Sequence, residues 1–145
     1  MMQVSVLGRM CQLFMLEVFI DGASAGNPGP SGIGIFIKGE GHLIKISEPI
    51  GLTDNHHAEF LALVRALKEI QPLNPQLVSL KSDSKIVLSS IEKRYVKKES
   101  FQLLLQEALE IIDTVPLFFT KWISDHENRA ADTLARQAIQ KQKTK

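Results

Sequence analysis

Four acidic residues that lie far apart in the chain have the chemistry of a metal site. Asp21 ends an apolar run and precedes a glycine-rich turn, while Asp83 follows a second apolar run. Glu59 lies in the first turn of a predicted amphipathic helix, and Asp132 lies early in the last predicted helix. Four carboxylates at one edge of a sheet would repel each other strongly unless a cation neutralised them. Magnesium prefers such oxygen ligands, and two ions can clamp both sides of a phosphodiester displacement.

Taken singly, each acid has a simpler explanation. An Asp after a strand is usually a turn residue or a helix N-cap, and a Glu in a first helical turn is commonly a dipole partner. The joint pattern favours a site, because Asp21 and Asp83 end two apolar strands that we expect to be adjacent and parallel. Glu59 and Asp132 each lie beside the buried stripe of a helix, from which a carboxylate can point at the strand ends.

Hydrophobic periodicity predicts the elements that must position these acids. The predicted strands are Leu13–Ile20, Gly32–Ile37, His42–Ser47, Leu77–Ser82 and Leu117–Ile123. The predicted helices are Asn55–Ile70, Ser84–Glu92, Ser100–Asp113 and a last helix that follows a capping box at Ser124–Glu127. Three consecutive strands predict an antiparallel meander, and the later alternation of strands and helices predicts an α/β fold with a mixed sheet flanked by helices.

Composition limits the function classes. The 145 residues suit one domain, and a net charge of +1 gives no global attraction to nucleic acid, so such binding needs a local patch. The basic connector carries Lys93, Arg94, Lys97 and Lys98, for which a phosphate-binding patch and a solvated loop both remain open. A single cysteine, Cys11, excludes an internal disulfide and a cysteine-based zinc site, in agreement with a cytoplasmic protein.

The chain divides into three parts by sequence. Residues 1–12 are an N-terminal extension of uncertain role, residues 13–140 form the predicted domain, and residues 141–145 form a polar tail. A signal peptide is rejected, because cleavage after the apolar run would remove the strand that leads to Asp21. No apolar stretch is long enough to span a membrane, so we expect no membrane partner.

The motifs resemble those of the type 1 ribonuclease H family, in a short form that lacks the basic protrusion. The resembling residues are Asp21–Pro30 with Gly32 and Gly34, then Asn55–Glu59, Ser82–Ser84 and Glu127–Ala135. Together they extend over nearly the whole chain from Leu13 onward. The resemblance implies a ribonuclease H-like fold, which is a five-stranded mixed sheet of order 3-2-1-4-5 flanked by helices.

The resemblance also implies an activity and a site. It implies a monomeric endoribonuclease that hydrolyses the RNA strand of RNA–DNA hybrids to 3′-hydroxyl and 5′-phosphate ends. The implied catalytic and metal-binding residues are Asp21, Glu59, Asp83 and Asp132, which would bind two Mg²⁺ ions, with Mn²⁺ as an alternative. The implied substrate contacts are Gly22, Ser24, Asn27 and Asn55, with the two asparagines near a DNA phosphate.

Two further features depart from the family pattern. The loop before the last helix is short, and His126 is its only candidate for the histidine that many members place there. His56 stands where many members have a second asparagine. We expect Trp122, at the end of a buried strand, to be a core residue.

Other functions remain as alternatives. Proofreading exonucleases of the same superfold need an Asp-x-Glu pair, which Asp21-Gly22-Ala23 lacks, and transposases place a Glu where this chain has Asp132. A P-loop is excluded because no Gly-Lys-Ser/Thr follows the glycine turn. A non-catalytic or very weakly active hybrid-binding module with the same fold is the alternative from a different class.

Overall fold

The computed structural model describes residues 14–143, so the predicted extension 1–12 and Cys11 lie outside the described residues. The described residues form five strands and four α-helices in the order βββαβααβα, and a short 3₁₀ helix, Gln71–Leu73, follows the first α-helix. The strands are β1 (Met15–Ser24), β2 (Gly29–Gly39), β3 (His42–Thr53), β4 (Leu77–Ser82) and β5 (Leu117–Trp122). The α-helices are α1 (Asn55–Ile70), α2 (Lys85–Lys93), α3 (Glu99–Ile112) and α4 (Arg129–Lys143). None of the helices within residues 14–143 has the length and hydropathy needed to cross a membrane.

The five strands form one mixed sheet. Its order is β3-β2-β1-β4-β5, which confirms the order implied by the resemblance. The first three strands pair antiparallel, whereas β4 pairs parallel with both β1 and β5. The ends of β1 and β4 therefore point to the same edge of the sheet, as the positions of Asp21 and Asp83 require.

The two faces of the sheet are covered differently. On one face, α1 and α3 enclose the main core, where the rings of Phe60 and Phe101 stack with centroids 4.7 Å apart. On the other face, α4 lies across β1, β2 and β3. Because side chains alternate along a strand, Ile33 and Ile35 enter the main core while Gly32 and Gly34 meet α4.

The predicted end of β1 is too early. Pairing with β2 continues to Ser24, opposite Ser31, so Asp21 lies inside the strand and the turn is confined to residues 25–28. Parallel pairing with β4 nevertheless stops at Phe19, opposite Lys81. Asp21 is thus paired on one side only, and it still lies just past the point where β1 and β4 separate.

The helix starts also differ in detail from the prediction. Helix α1 begins at Asn55 as predicted, with Asp54 as its N-cap. Glu59 therefore lies one residue beyond the first turn, and the prediction that it lies within that turn was wrong. Ser84 caps α2 by accepting from the backbone N–H of Val87 (3.3 Å). The predicted capping box forms reciprocal hydrogen bonds between Ser124 and Glu127, each 3.2 Å, but it closes a turn and α4 begins only at Arg129.

Candidate active site

Asp21 is the most buried of the four acids. It is 8% exposed and lies directly opposite Gly34 in the β1–β2 register. A Cβ atom on Gly34 would lie 2.0 Å from the carbonyl oxygen of Ala131 in α4, so the glycine permits that helix to approach the sheet. The neighbour of Ala131 is Asp132. The close approach therefore brings Asp132 near Asp21, and its carboxylate is one of the causes that raise the pKa of Asp21.

Glu59 reaches the same place from the opposite face through a second close approach. A Cβ atom on Gly22 would lie 2.4 Å from the carbonyl carbon of Ala58 and 2.5 Å from the backbone nitrogen of Glu59. The absent side chain of Gly22 thus lets α1 pack against β1 next to Asp21. The carboxylate of Glu59 hydrogen-bonds Ser84 and contacts Nδ1 of His56 at 3.1 Å.

Asp83 follows β4 directly, and Trp122 holds its backbone. The indole N–H of Trp122 donates to the carbonyl oxygen of Asp83 (3.2 Å). The prediction that Trp122 is a core residue was wrong, because β5 is an edge strand and the side chain is 49% exposed. The ammonium of Lys85 lies 5.4 Å from the centre of the indole ring.

The electrostatics identify the four acids as one group. Burial is the largest cause that raises the pKa of Asp21, to about 8. The carboxylates of Asp83, Asp132 and Glu59 raise it further, because each disfavours another negative charge nearby. Sequence reasoning expected this convergence from strand and helix ends, and the structure brings the other three acids within electrostatic reach of Asp21.

Asp83 and Glu59 are less perturbed because polar neighbours oppose the effect of burial. Burial raises the pKa of both groups. Hydrogen bonds from Ser84 and His56 lower that of Glu59, and hydrogen bonds from its own backbone and from Asn128 lower that of Asp83. Asp125, which the sequence reasoning had not singled out, adds a further negative charge that raises the pKa of Asp83.

The donor set fits a hard divalent cation. All four groups offer carboxylate oxygens, and the raised pKa of Asp21 shows that negative charge accumulates without enough compensation. No three His, Cys, Asp or Glu side chains within residues 14–143 form a ready-made cage for a metal ion. Magnesium does not require one, because it keeps several waters and commonly takes only one or two carboxylates from a protein.

Basic side chains already contact two of the acids. Nε of Arg136 lies 3.1 and 3.0 Å from the two carboxylate oxygens of Asp132, one helical turn away on α4. His56 holds the same relation to Glu59 on α1. A bound cation would compete with Arg136 for Asp132.

The predicted substrate contacts lie in two settings. The backbone of Gly22 packs against α1, and the hydroxyl of Ser24 donates to the carbonyl oxygen of Thr53 (2.9 Å), so both residues also serve the fold. The side chains of Asn27, in the turn, and Asn55, at the start of α1, are exposed. Their contact with a substrate stays a prediction.

The ring of His126 contacts Arg129 and none of the four acids among residues 14–143. Its Nδ1 lies 3.0 Å from Nη2 of Arg129, and the side chain is exposed. Asn128, two residues after His126, tells more about the site, although the sequence reasoning did not single it out. Its side chain is 1% exposed, donates to the backbone carbonyl before Asp21 and lies near Asp83. Its neighbours in sequence are charged and exposed, so the local pattern gave no signal of this burial.

Known proteins share this architecture. Residues 15–140 match the family model described as RNase H. A protein of Enterococcus faecalis named "Putative hydrolase EbsB" is 43% identical over 129 residues, covering 88% of this chain and 96% of that protein. A ribonuclease H of Shewanella loihica is 30% identical over 143 residues, covering 88% and 89% of the two chains. The solved complex of LC11-RNase H1, isolated from compost, with an RNA/DNA hybrid is 31% identical with a TM-score of 0.79, covering 87% of this chain and 97% of that one.

Proposed function

The chain belongs to the RNase H family, and from this premise we propose that it is a metal-dependent endoribonuclease that hydrolyses the RNA strand of RNA–DNA hybrids. The products are 3′-hydroxyl and 5′-phosphate ends. The observation that carries the proposal is the convergence of Asp21, Glu59, Asp83 and Asp132 on one sheet edge, where their charges raise the pKa of Asp21. The hybrid bound by the related LC11-RNase H1 supports the substrate class.

The four carboxylates would hold two Mg²⁺ or Mn²⁺ ions. Bound there, divalent ions supply Lewis acidity that lowers the pKa of a water and stabilises the leaving 3′-oxygen. The contribution of the protein is to hold the acids on rigid elements. Asp21 is fixed within β1, Glu59 and Asp132 are fixed on helices, and the backbone of Asp83 is held by Trp122. No side chain has to act as the nucleophile.

Recognition of the hybrid requires phosphate contacts and contacts to the 2′-hydroxyl that only RNA carries. A groove beside His56 provides a candidate phosphate surface, because Lys93, Lys97 and Lys98 line it together with Tyr95. Arg94, from the same basic connector, turns away to pair with Asp113 through two hydrogen bonds of 3.1 and 2.7 Å. Of the four basic residues predicted from sequence, three therefore face one groove.

Cleavage assays test the proposal directly. We expect the purified protein to cut an end-labelled RNA within a hybrid when Mg²⁺ or Mn²⁺ is present, and to stop when EDTA is added. The same RNA in single-stranded form and the matching DNA duplex serve as controls, and mass spectrometry of the products identifies the ends. Cleavage that persists in excess EDTA would contradict the metal-dependent mechanism.

The basic groove gives a separate prediction. Replacing Lys93 and Lys97 together by alanine should weaken hybrid binding several-fold and reduce the slope of log K against log salt by about one for each lysine, because each phosphate contact releases a counterion. Fluorescence anisotropy in EDTA measures this without cleavage. Arg94→Gln is the control for charge, because it removes one charge from the same connector outside the groove. An equal effect for each charge removed would show that overall charge, rather than the groove, attracts the hybrid.

A second candidate function is a non-catalytic or very weakly active hybrid-binding module. The short loop before α4 favours it, because the ring of His126 is engaged by Arg129. The cleavage and binding assays described above distinguish the two functions. A protein that binds hybrid and never cuts it with either metal is the binding module.

A further inference from the structure

A single buried amide connects three of the four acidic elements. Asn128 immediately precedes α4 and is 1% exposed. Its side-chain NH₂ donates to the carbonyl oxygen of Ile20 at 2.8 Å, directly before Asp21 in β1. The same side chain lies near the carboxylate of Asp83 beyond the end of β4. Its backbone carbonyl oxygen accepts from the N–H of Asp132 at 3.0 Å.

The orientation of this amide follows from its partners. A carbonyl oxygen and a carboxylate accept hydrogen bonds, so the NH₂ group of Asn128 must face Ile20 and Asp83. The amide oxygen Oδ1 is left buried with no hydrogen-bond partner among residues 14–143, where it is the only such side-chain atom. An unsatisfied buried acceptor is costly, so an asparagine at this place is poorly explained by stability alone.

We propose that Asn128 is the positioning residue of the metal site, setting the spacing of Asp21, Asp83 and Asp132 for the cation. The proposal rests on the metal-dependent function proposed above. Asn128 acts through its neighbours, because at 1% exposure it offers no surface to a substrate. Its amide N–H groups lie between the diverging ends of β1 and β4 and join β1 to the start of α4. Without them, the three elements keep their own hydrogen bonds but lose their common link.

The test measures metal affinity in the absence of substrate. We expect Asn128→Ala to weaken Mn²⁺ binding by about 10- to 100-fold, the usual effect of removing a group that orients metal ligands. Isothermal titration calorimetry gives the affinity. The fluorescence of Trp122 gives a second signal, because it is the only tryptophan and its indole contacts Asp83. The affinity for hybrid in EDTA should stay as in the wild type.

Ser47→Ala is the matched control. The hydroxyl of Ser47 donates to the carbonyl oxygen of Leu134 (2.6 Å), so this variant also removes a side-chain bond between α4 and the sheet, away from the link to Asp21 and Asp83. We expect its Mn²⁺ affinity to equal that of the wild type. Equal losses in both variants would overturn the proposal, because general loosening of α4 would then explain them. Unchanged Mn²⁺ affinity in Asn128→Ala would overturn it as well.

A second variant, Asn128→Ser, tests the proposal if Asn128→Ala does not fold. Asn128→Ser keeps a hydroxyl before the helix, but that hydroxyl is too short to replace the amide link. A folded Asn128→Ser with weakened Mn²⁺ binding supports the proposal, and failure of both variants to fold assigns Asn128 to folding and overturns it. Different results would refute the metal-dependent function on which this proposal rests. A wild type that binds Mn²⁺ without cutting hybrid refutes the cleavage function alone, whereas a wild type that binds no divalent ion refutes both.

Discussion

Replacing Asp21 by asparagine should abolish cleavage of an RNA–DNA hybrid and, at the same time, stabilise the metal-free protein. Loss of the carboxylate at the centre of the acidic group should lower the cleavage rate by about 10²- to 10³-fold or more, as removal of a key electrostatic group does in other enzymes. The asparagine keeps the shape of the side chain and removes the charge that burial, Asp83, Asp132 and Glu59 all disfavour.

The gain in stability follows from the pKa of Asp21. An unfolded aspartate has a pKa of about 3.9, whereas that of folded Asp21 is about 8. Between these values the folded state binds a proton that the unfolded state does not, so this group makes the free energy of unfolding fall as pH rises. The penalty is absent below about pH 4 and complete above about pH 8. At pH 7 we expect Asp21→Asn to be more stable by about 1–3 kcal/mol, which is roughly 3–9 °C in Tm.

Thermal unfolding in EDTA at several pH values measures this effect. The wild type should lose stability from pH 5 to pH 8 more steeply than Asp21→Asn does. Asp83→Asn is the informative comparison, because it should lose cleavage equally while gaining less stability. The pKa of Asp83 is held back by hydrogen bonds that oppose the effect of burial. If the thermal stability of the wild type and that of Asp21→Asn changed equally with pH, the charge of Asp21 would not be what destabilises the folded protein.

Gly34→Ala should damage both the fold and the site, although it adds only one methyl group. The added Cβ atom would lie 2.0 Å from the carbonyl oxygen of Ala131 and 2.5 Å from the backbone nitrogen of Ala135. Backbone atoms of a helix cannot turn aside as a side chain can, so α4 must move away from the sheet and carry Asp132 with it. We expect a loss of at least about 3 kcal/mol in the free energy of unfolding, at the upper end of overpacking effects.

Urea unfolding and Mn²⁺ titration measure the two consequences. Gly41→Ala is the matched control, because nothing lies within 4 Å of its added Cβ atom and only its φ of +80° disfavours alanine. That backbone strain should cost about 1–2 kcal/mol and leave metal affinity unchanged. If Gly34→Ala were no worse than Gly41→Ala, the close approach of α4 to β2 would not be what positions Asp132.

Several features of this protein were determined by local sequence. The bounds of α1 and β4 match their predicted bounds, because an apolar periodicity bounded by a cap or by prolines needs no distant partner. The four acids were identified from where each lies relative to a strand or helix end. The strand order was implied by the family motifs and confirmed by the sheet.

Only the tertiary structure decided how these local elements meet. Whether β1 ends at Ile20 or continues past Asp21 depends on hydrogen bonds with β2, and whether Trp122 is buried depends on β5 lying at an edge. The role of Gly34 depends on its close approach to α4, and that of Asn128 depends on Ile20, which lies 108 residues earlier in the chain. Burial, close backbone approach and the repulsion that raises the pKa of Asp21 arise between segments distant in sequence, so no local pattern could display them.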